Sequence, residues 1–144
     1  MHHEIECEWK GGMQFDGNVL GHTVTLDDLH SDGSPTLGPS PKRLLLLATA
    51  GCTGMDVIPM LEKMRVVVTG LSIKAAADGV DTDPKVYTSM KITYLFRGPG
   101  LEAEREKVER AVRLSQEKYC GVSAMMRMAM PIDYEIKITN DPIA

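Results

Sequence analysis

The sequence predicts an α+β fold, and three observations carry that reading. Apolar and polar side chains alternate at Ile5–Trp9, Leu71–Ala75 and Ile132–Ile138, the period of a strand with one wet face. Leu44–Met60 is an almost unbroken apolar run of helical length, while Leu101–Lys118 is charged with a one-sided apolar stripe. The strands come in clusters, βββ–α–ββ–α–(short α)–β, instead of alternating strictly with helices. At 144 residues, the chain fits one domain, residues 1–144, large enough for a substantial core.

The first thirty residues read as a three-stranded antiparallel meander. Ile5, Cys7 and Trp9 form the apolar side of the first strand, with Cys7 as a small core hydrophobe. Gly11-Gly12 turns the chain, and Met13 and Phe15 begin a second strand. Asp16-Gly17 offers a hairpin turn into a third strand, Val19–Leu26. Residues 27–41 are rich in Asp, Ser, Gly and Pro and make a loop. A long helix is then expected within Gly38–Arg65. Ser40-Pro41 suits its start, and Lys63 and Arg65 suit the negative end of its dipole. Pro59 predicts a kink or break. Such a helix, apolar on all sides, is either buried all round or spans a membrane.

Val66–Ala77 is the fourth strand, and a loop of turn residues follows to Pro84. Val86, Met90, Ile92, Tyr94 and Phe96 outline a long fifth strand, which Gly98-Pro99-Gly100 ends. In the helix Leu101–Lys118, an apolar stripe of Leu101, Val108, Ala111, Val112 and Leu114 faces inward. The charges form a solvated face. Tyr119-Cys120-Gly121 interrupts it, Val122–Met130 forms a short further helix, and Pro131 precedes the last strand.

Charge and composition exclude several classes. A net charge of −4 gives no footprint for nucleic acid or an anionic membrane. The N-terminus MHHEIECEWK lacks the apolar core of a secretory leader and carries three glutamates. The apolar run is slightly short for a span and contains Asp56 and Pro59, so a core helix is the expectation. Three cysteines in a chain without a leader point to the reducing cytoplasm. None sits in CxxC or zinc-finger spacing, and neither metal nor cofactor is expected.

The chemistry falls to two of those cysteines. Cys52 lies in the long helix among small residues, and Gly51 and Gly54 each cost the helix about 1 kcal/mol relative to alanine. Something must approach that sulfur closely: a partner helix or a substrate. Cys120 begins a helical turn, where free N–H groups, Lys118 and Arg127 would favour a thiolate. Together the pair supports a two-step thiol cycle. One sulfur would attack a peroxide and become a sulfenic acid, and the other would condense with it to a disulfide. That requires Cα atoms roughly 4.4–6.8 Å apart.

SPKRLLLLATAGCTGMDVIPMLEKMR resembles the first cysteine motif of the OsmC/Ohr family of thiol-dependent peroxidases, and LSQEKYCGVSAMMRMAMPIDYEI resembles the second. The likeness covers nearly the whole chain. It implies an OsmC-like fold, an intertwined homodimer with antiparallel sheets wrapped around two central helices and active sites where the subunits meet. It further implies Cys52 as the peroxidatic thiol and Cys120 as the resolving one. The implied substrate is an organic hydroperoxide and the implied reductant a dithiol, in oxidative-stress defence.

The family's peroxidase branches place a glutamate after the helix-start proline, where it positions an arginine from the N-terminal strands beside the thiolate. Here that position is Lys42, and the meander has no arginine. Helical rise puts Lys42 about 15 Å from Cys52. A lysine of a partner chain, His22 or the Arg127 region is left to supply the positive charge. In this respect the chain resembles the OsmC-like branches of the YhfA type. The alternative is a non-catalytic dimer on the same scaffold, holding a small hydrophobic or electrophilic ligand. Its pocket would be lined by Met13, Met55, Met125, Met126 and Met128.

Overall fold

The computed structural model describes residues 1–140, and the chain forms two compact units that divide after Leu45. The first unit is a meander of β1 (Glu6–Gly11), β2 (Gln14–Val19) and β3 (His22–Leu26), paired antiparallel in that order. Gly11 and Gly12 turn the chain with φ of 108° and 55°, a backbone that only glycine adopts without strain. The second turn lies at Leu20-Gly21, not at Asp16-Gly17. Leu20 and Gly21 both have positive φ, as a tight hairpin requires, and Asn18 Oδ1 accepts a hydrogen bond from the Gly21 amide at 3.0 Å. Asp16 and Gly17 instead run inside β2. Gly17 pairs with both Cys7 and Val24, and Asp16 accepts from the Thr25 hydroxyl at 2.9 Å.

Cys7 is not a core residue. It is exposed, as is Trp9, because the meander carries no second layer of its own. The following loop is organised by Asp27, whose buried carboxylate accepts from the Leu37 amide at 2.9 Å, the Asp28 amide at 2.8 Å and His30. The Leu37 and Asp28 amides and then His30 hold that carboxyl below its usual range. Gly38 closes the loop against β3, where an added Cβ would lie 2.1 Å from the Thr25 carbonyl oxygen.

Helix α1 (Pro41–Lys63) runs unbroken through Pro59. The second unit contains most of it, followed by β4 (Gly70–Gly79) and β5 (Tyr87–Arg97). After a 3-10 turn at Leu101–Glu104 come α2 (Arg105–Leu114), a π turn (Ser115–Tyr119), α3 (Gly121–Arg127) and β6 (Ile132–Thr139). The sheet order is β4-β5-β6, with β4 antiparallel and β6 parallel to the central β5. The parallel pair follows from the helical crossover that α2 and α3 provide between those strands. Along β5, Met90, Ile92, Tyr94 and Phe96 are buried at alternate positions. They pack with Val57 and Leu61 of α1 and with Val108 and Val112 of α2 into one core.

The charged segment behaves as its stripe requires, burying Leu101, Val108, Ala111 and Val112. Helix α1 does not bury all its faces. Only Thr49, Ala50, Thr53, Val57 and Leu61 are buried, a narrow stripe at steps of three and four. Elsewhere Leu47 is 65% exposed and Met55 is 79% exposed. A single chain supplies core for one side of this helix only.

Candidate active site

Cys52 lies midway along α1 and is partly buried; Cys120 is 3% exposed. What brings them together is a local irregularity. The Cys120 amide reaches back five residues to the Ser115 carbonyl at 2.8 Å and closes the π turn. The widened turn directs Ser115 and Gln116 inward. Cys120, in an extended conformation, then caps α3, and its sulfur accepts from the Ser123 amide at 3.4 Å. The segment Tyr119-Cys120-Gly121 therefore does interrupt the helix and turn a sulfur onto free N–H groups. Cys52 is one of the groups near enough to act on the Cys120 thiol, and it raises that thiol's pKa. All three cysteines are free thiols.

The electrostatics of Cys120 differ from the sequence expectation in their net direction. Burial pushes the thiol up, Ser123 pulls it down through side chain and amide, and Cys52 pushes it up again. Lys118 and Arg127 are engaged elsewhere. Lys118 Nζ sits 5.3 Å from the centre of the Tyr119 ring. The Arg127 guanidinium donates to the Gln116 backbone carbonyl and, at 2.6 Å, to Gln116 Oε1. Lys42 belongs to the first turn of α1, and His22 is an exposed residue of β3.

Beside the cysteines lies a buried polar network. Thr53 Oγ1 is 2.7 Å from both Tyr94 Oη and Ser115 Oγ. Ser115 Oγ donates to Asp56 Oδ2 at 2.9 Å, and Gln116 Nε2 donates to Tyr94 Oη at 2.7 Å. Because Ser115 gives its one proton to Asp56, its bond with Thr53 is donated by Thr53. Tyr94 must in turn donate to Thr53. The hydroxyls thus point one way, towards a carboxylate, and each strengthens the next. Arg127 fixes the Gln116 amide with its oxygen outward and its nitrogen on Tyr94 and Thr53. Helix α1, strand β5 and the π turn are joined through these bonds.

Sequence reasoning missed Tyr94, Ser115 and Gln116 as site residues. One signal existed: Thr49, Thr53 and Asp56 break the apolar run at helical spacing, marking a polar stripe on α1. Length and composition alone make α1 long and apolar enough to cross a membrane. The bonds of Thr53 and Asp56 assign its middle to a polar protein interior instead.

The two glycines flanking Cys52 differ. At Gly54 a Cβ would meet Ile73 Cδ1 of β4 at 3.0 Å, so this glycine admits a packed neighbour; at Gly51 nothing lies within 4 Å. Gly51 instead opens onto an apolar groove with Leu47, Ile58 and Leu71. A second cleft, of about 590 Å³, is lined by Met55, Pro59, Met60, Met64 and Tyr119, with Lys63 among its residues. Of the five methionines named from sequence, Met55 lines these clefts. Met126 packs against the core, and Met13, Met125 and Met128 are exposed.

Comparison with known proteins identifies the family. The chain is 30% identical over 136 residues to protein YhfA of Escherichia coli K12, covering 94% of this chain and 97% of that one. A hypothetical protein from Aquifex aeolicus VF5 has the same fold at a TM-score of 0.78 and 29% identity, with 95% of this chain and 97% of that chain covered. The organic hydroperoxide resistance protein OhrB of Bacillus subtilis matches at a TM-score of 0.62 and 14% identity, with 93% and 96% covered, a likeness of fold. The family description OsmC-like protein matches residues 31–135, from the Asp27 loop through both cysteines to β6. The chain belongs to the OsmC-like family.

Proposed function

We propose that this protein is a cytoplasmic thiol-dependent peroxidase that reduces organic hydroperoxides in oxidative-stress defence, with Cys52 peroxidatic and Cys120 resolving. What supports the proposal is that Cys52 and Cys120, 68 positions apart in sequence, lie near enough for one thiol to act on the other. Cys52 thiolate attacks the terminal peroxide oxygen, the O–O bond breaks, and the alcohol leaves after taking a proton. Cys52 becomes a sulfenic acid. Cys120 thiolate then attacks the Cys52 sulfur, the S–O bond breaks, hydroxide departs as water, and a disulfide forms. A dithiol restores both thiols by exchange and leaves oxidised itself.

Cys52 is the more exposed sulfur, which suits it to meet the peroxide first. The name of the Bacillus relative supplies the substrate class. A homodimer is part of the proposal, because the exposed apolar face of α1 is the kind of surface a second copy covers. Dithiol-dependent consumption of cumene hydroperoxide should disappear in Cys52→Ser. In Cys120→Ser the intramolecular disulfide should be lost while Cys52 still oxidises. Unchanged turnover in Cys52→Ser contradicts the proposal.

The methionine-lined cleft favours a second reading, a dimer that binds a small hydrophobic or electrophilic ligand without turnover. A ligand that co-purifies with the protein, together with slow alkylation of both cysteines, would select it.

A further inference from the structure

Ser123 is fully buried, and its hydroxyl is a buried side-chain oxygen without a hydrogen-bond partner among the described residues. Such a group is disfavoured, since its desolvation is not repaid. Its position explains its presence. Ser123 is the third residue of α3, and its amide already donates to Cys120 Sγ at 3.4 Å. The hydroxyl stands on the residue whose amide bonds the sulfur, near enough to act on the Cys120 thiol. The cap alone needs only the amide, so the hydroxyl is surplus to holding α3 in place.

We infer that Ser123 is a catalytic hydrogen-bond donor to Cys120, its buried hydroxyl bonding the sulfur whenever that sulfur carries negative charge; the inference rests on the two-cysteine cycle above. Charge falls on Cys120 twice in the cycle. It does so first when Cys120 thiolate attacks the sulfenic sulfur of Cys52, forming the S–S bond as the S–O bond breaks and water leaves. It does so again on reduction. The reductant thiolate attacks the more accessible Cys52 sulfur, the S–S bond breaks, and its electron pair departs on Cys120. A neutral thiol is a poor acceptor, whereas a thiolate bonds a hydroxyl strongly.

The surroundings leave this task to Ser123. Cys120 faces Cys52 from α1, and Tyr94 of β5 feels its charge, with the phenol already bonded to Thr53 and Gln116. Lys118 lies over the Tyr119 ring, and Arg127 is held by Gln116. Among these groups, the hydroxyl and amide of Ser123 are the ones that pull the Cys120 thiol down against burial.

The test uses the full chain with Cys7→Ser and Cys52→Ser, so that Cys120 is the sole thiol, titrated by thiolate absorbance and by iodoacetamide alkylation. Ser123→Ala should raise the midpoint by roughly half to one pH unit, a three- to tenfold smaller thiolate fraction near neutral pH. Ser123→Gly, the second variant, should do the same. The melting temperature of Ser123→Ala should hold or rise, because an unpartnered hydroxyl has been removed. A midpoint that stays or falls overturns the inference. With all three native cysteines present, one equivalent of cumene hydroperoxide should oxidise Cys52 equally fast in Ser123→Ala, while disulfide closure slows roughly three- to tenfold. Closure at the native rate overturns the inference. If the hydroperoxide leaves both cysteines reduced, the peroxidase proposal fails, and the titration still decides the role of Ser123.

Discussion

At the scale of single residues, the candidate site is framed by buried side chains that bond one another. Tyr94 accepts from Gln116 and donates to Thr53, so Tyr94→Phe leaves a buried amide hydrogen and a buried hydroxyl each one partner short. Urea unfolding near neutral pH should show a loss of about 1–3 kcal/mol. Burial raises the Tyr94 pKa above its ordinary value, with the Thr53 and Gln116 bonds opposing it. Its contribution to stability is then fully present below about pH 10, the pKa of an unfolded tyrosine. It is lost as pH rises further through the folded value, because the unfolded chain sheds the proton first. Tyr94→Phe should flatten that alkaline decline, and an unchanged decline would assign it to other groups. None of this was legible in the local pattern KITYLFR, where Tyr94 is simply one alternate position of a strand. Its partners lie 41 and 22 residues away. Cys120 was legible as a helix cap, since Gly121 and the charged helix before it mark the break. The direction of its pKa was not, because burial comes from the three-dimensional packing.

At the scale of elements, periodicity did well where one face packs within the chain and poorly where turn chemistry competes. The alternation of β5 and the stripe of α2 correspond to buried positions one by one. The Asp16-Gly17 pair carried a strong turn signal yet runs straight, since Asn18 caps the turn at Leu20-Gly21 and the register pairs Gly17 across both neighbours. In α1 the small residues predict a partner helix or substrate close to the Cys52 sulfur; what the structure places against Gly54 is instead Ile73 of strand β4. Gly54→Val should drive its methyls into β4 and cost about 1–3 kcal/mol in denaturant titration. A variant as stable as the native chain would mean that Ile73 moves aside without strain. The π turn had no sequence signature. It is visible only through the bond from the Cys120 amide to Ser115, and it sets both Gln116 and the sulfur in place.

At the scale of the whole molecule, α1 has more apolar surface than its own chain covers. Sequence reading expects a helix buried all round, shared between two copies by the family resemblance; one chain buries one stripe and exposes Leu47 and Met55. The discrepancy is physical, since a single sequence lists the apolar surface without saying how many chains share it. If a second copy covers this face, Leu47→Glu should convert a dimer into a monomer in light scattering. An unchanged mass would place the interface elsewhere. The central claim is the two-cysteine cycle, and one measurement tests it most directly. The reduced protein is treated with one equivalent of cumene hydroperoxide, quenched with an alkylating reagent, and mapped by mass spectrometry. The account predicts a product lighter by two hydrogens, with Cys52 joined to Cys120 and Cys7 alkylated. Both Cys52 and Cys120 recovered as alkylated thiols, with the hydroperoxide unconsumed, would contradict it.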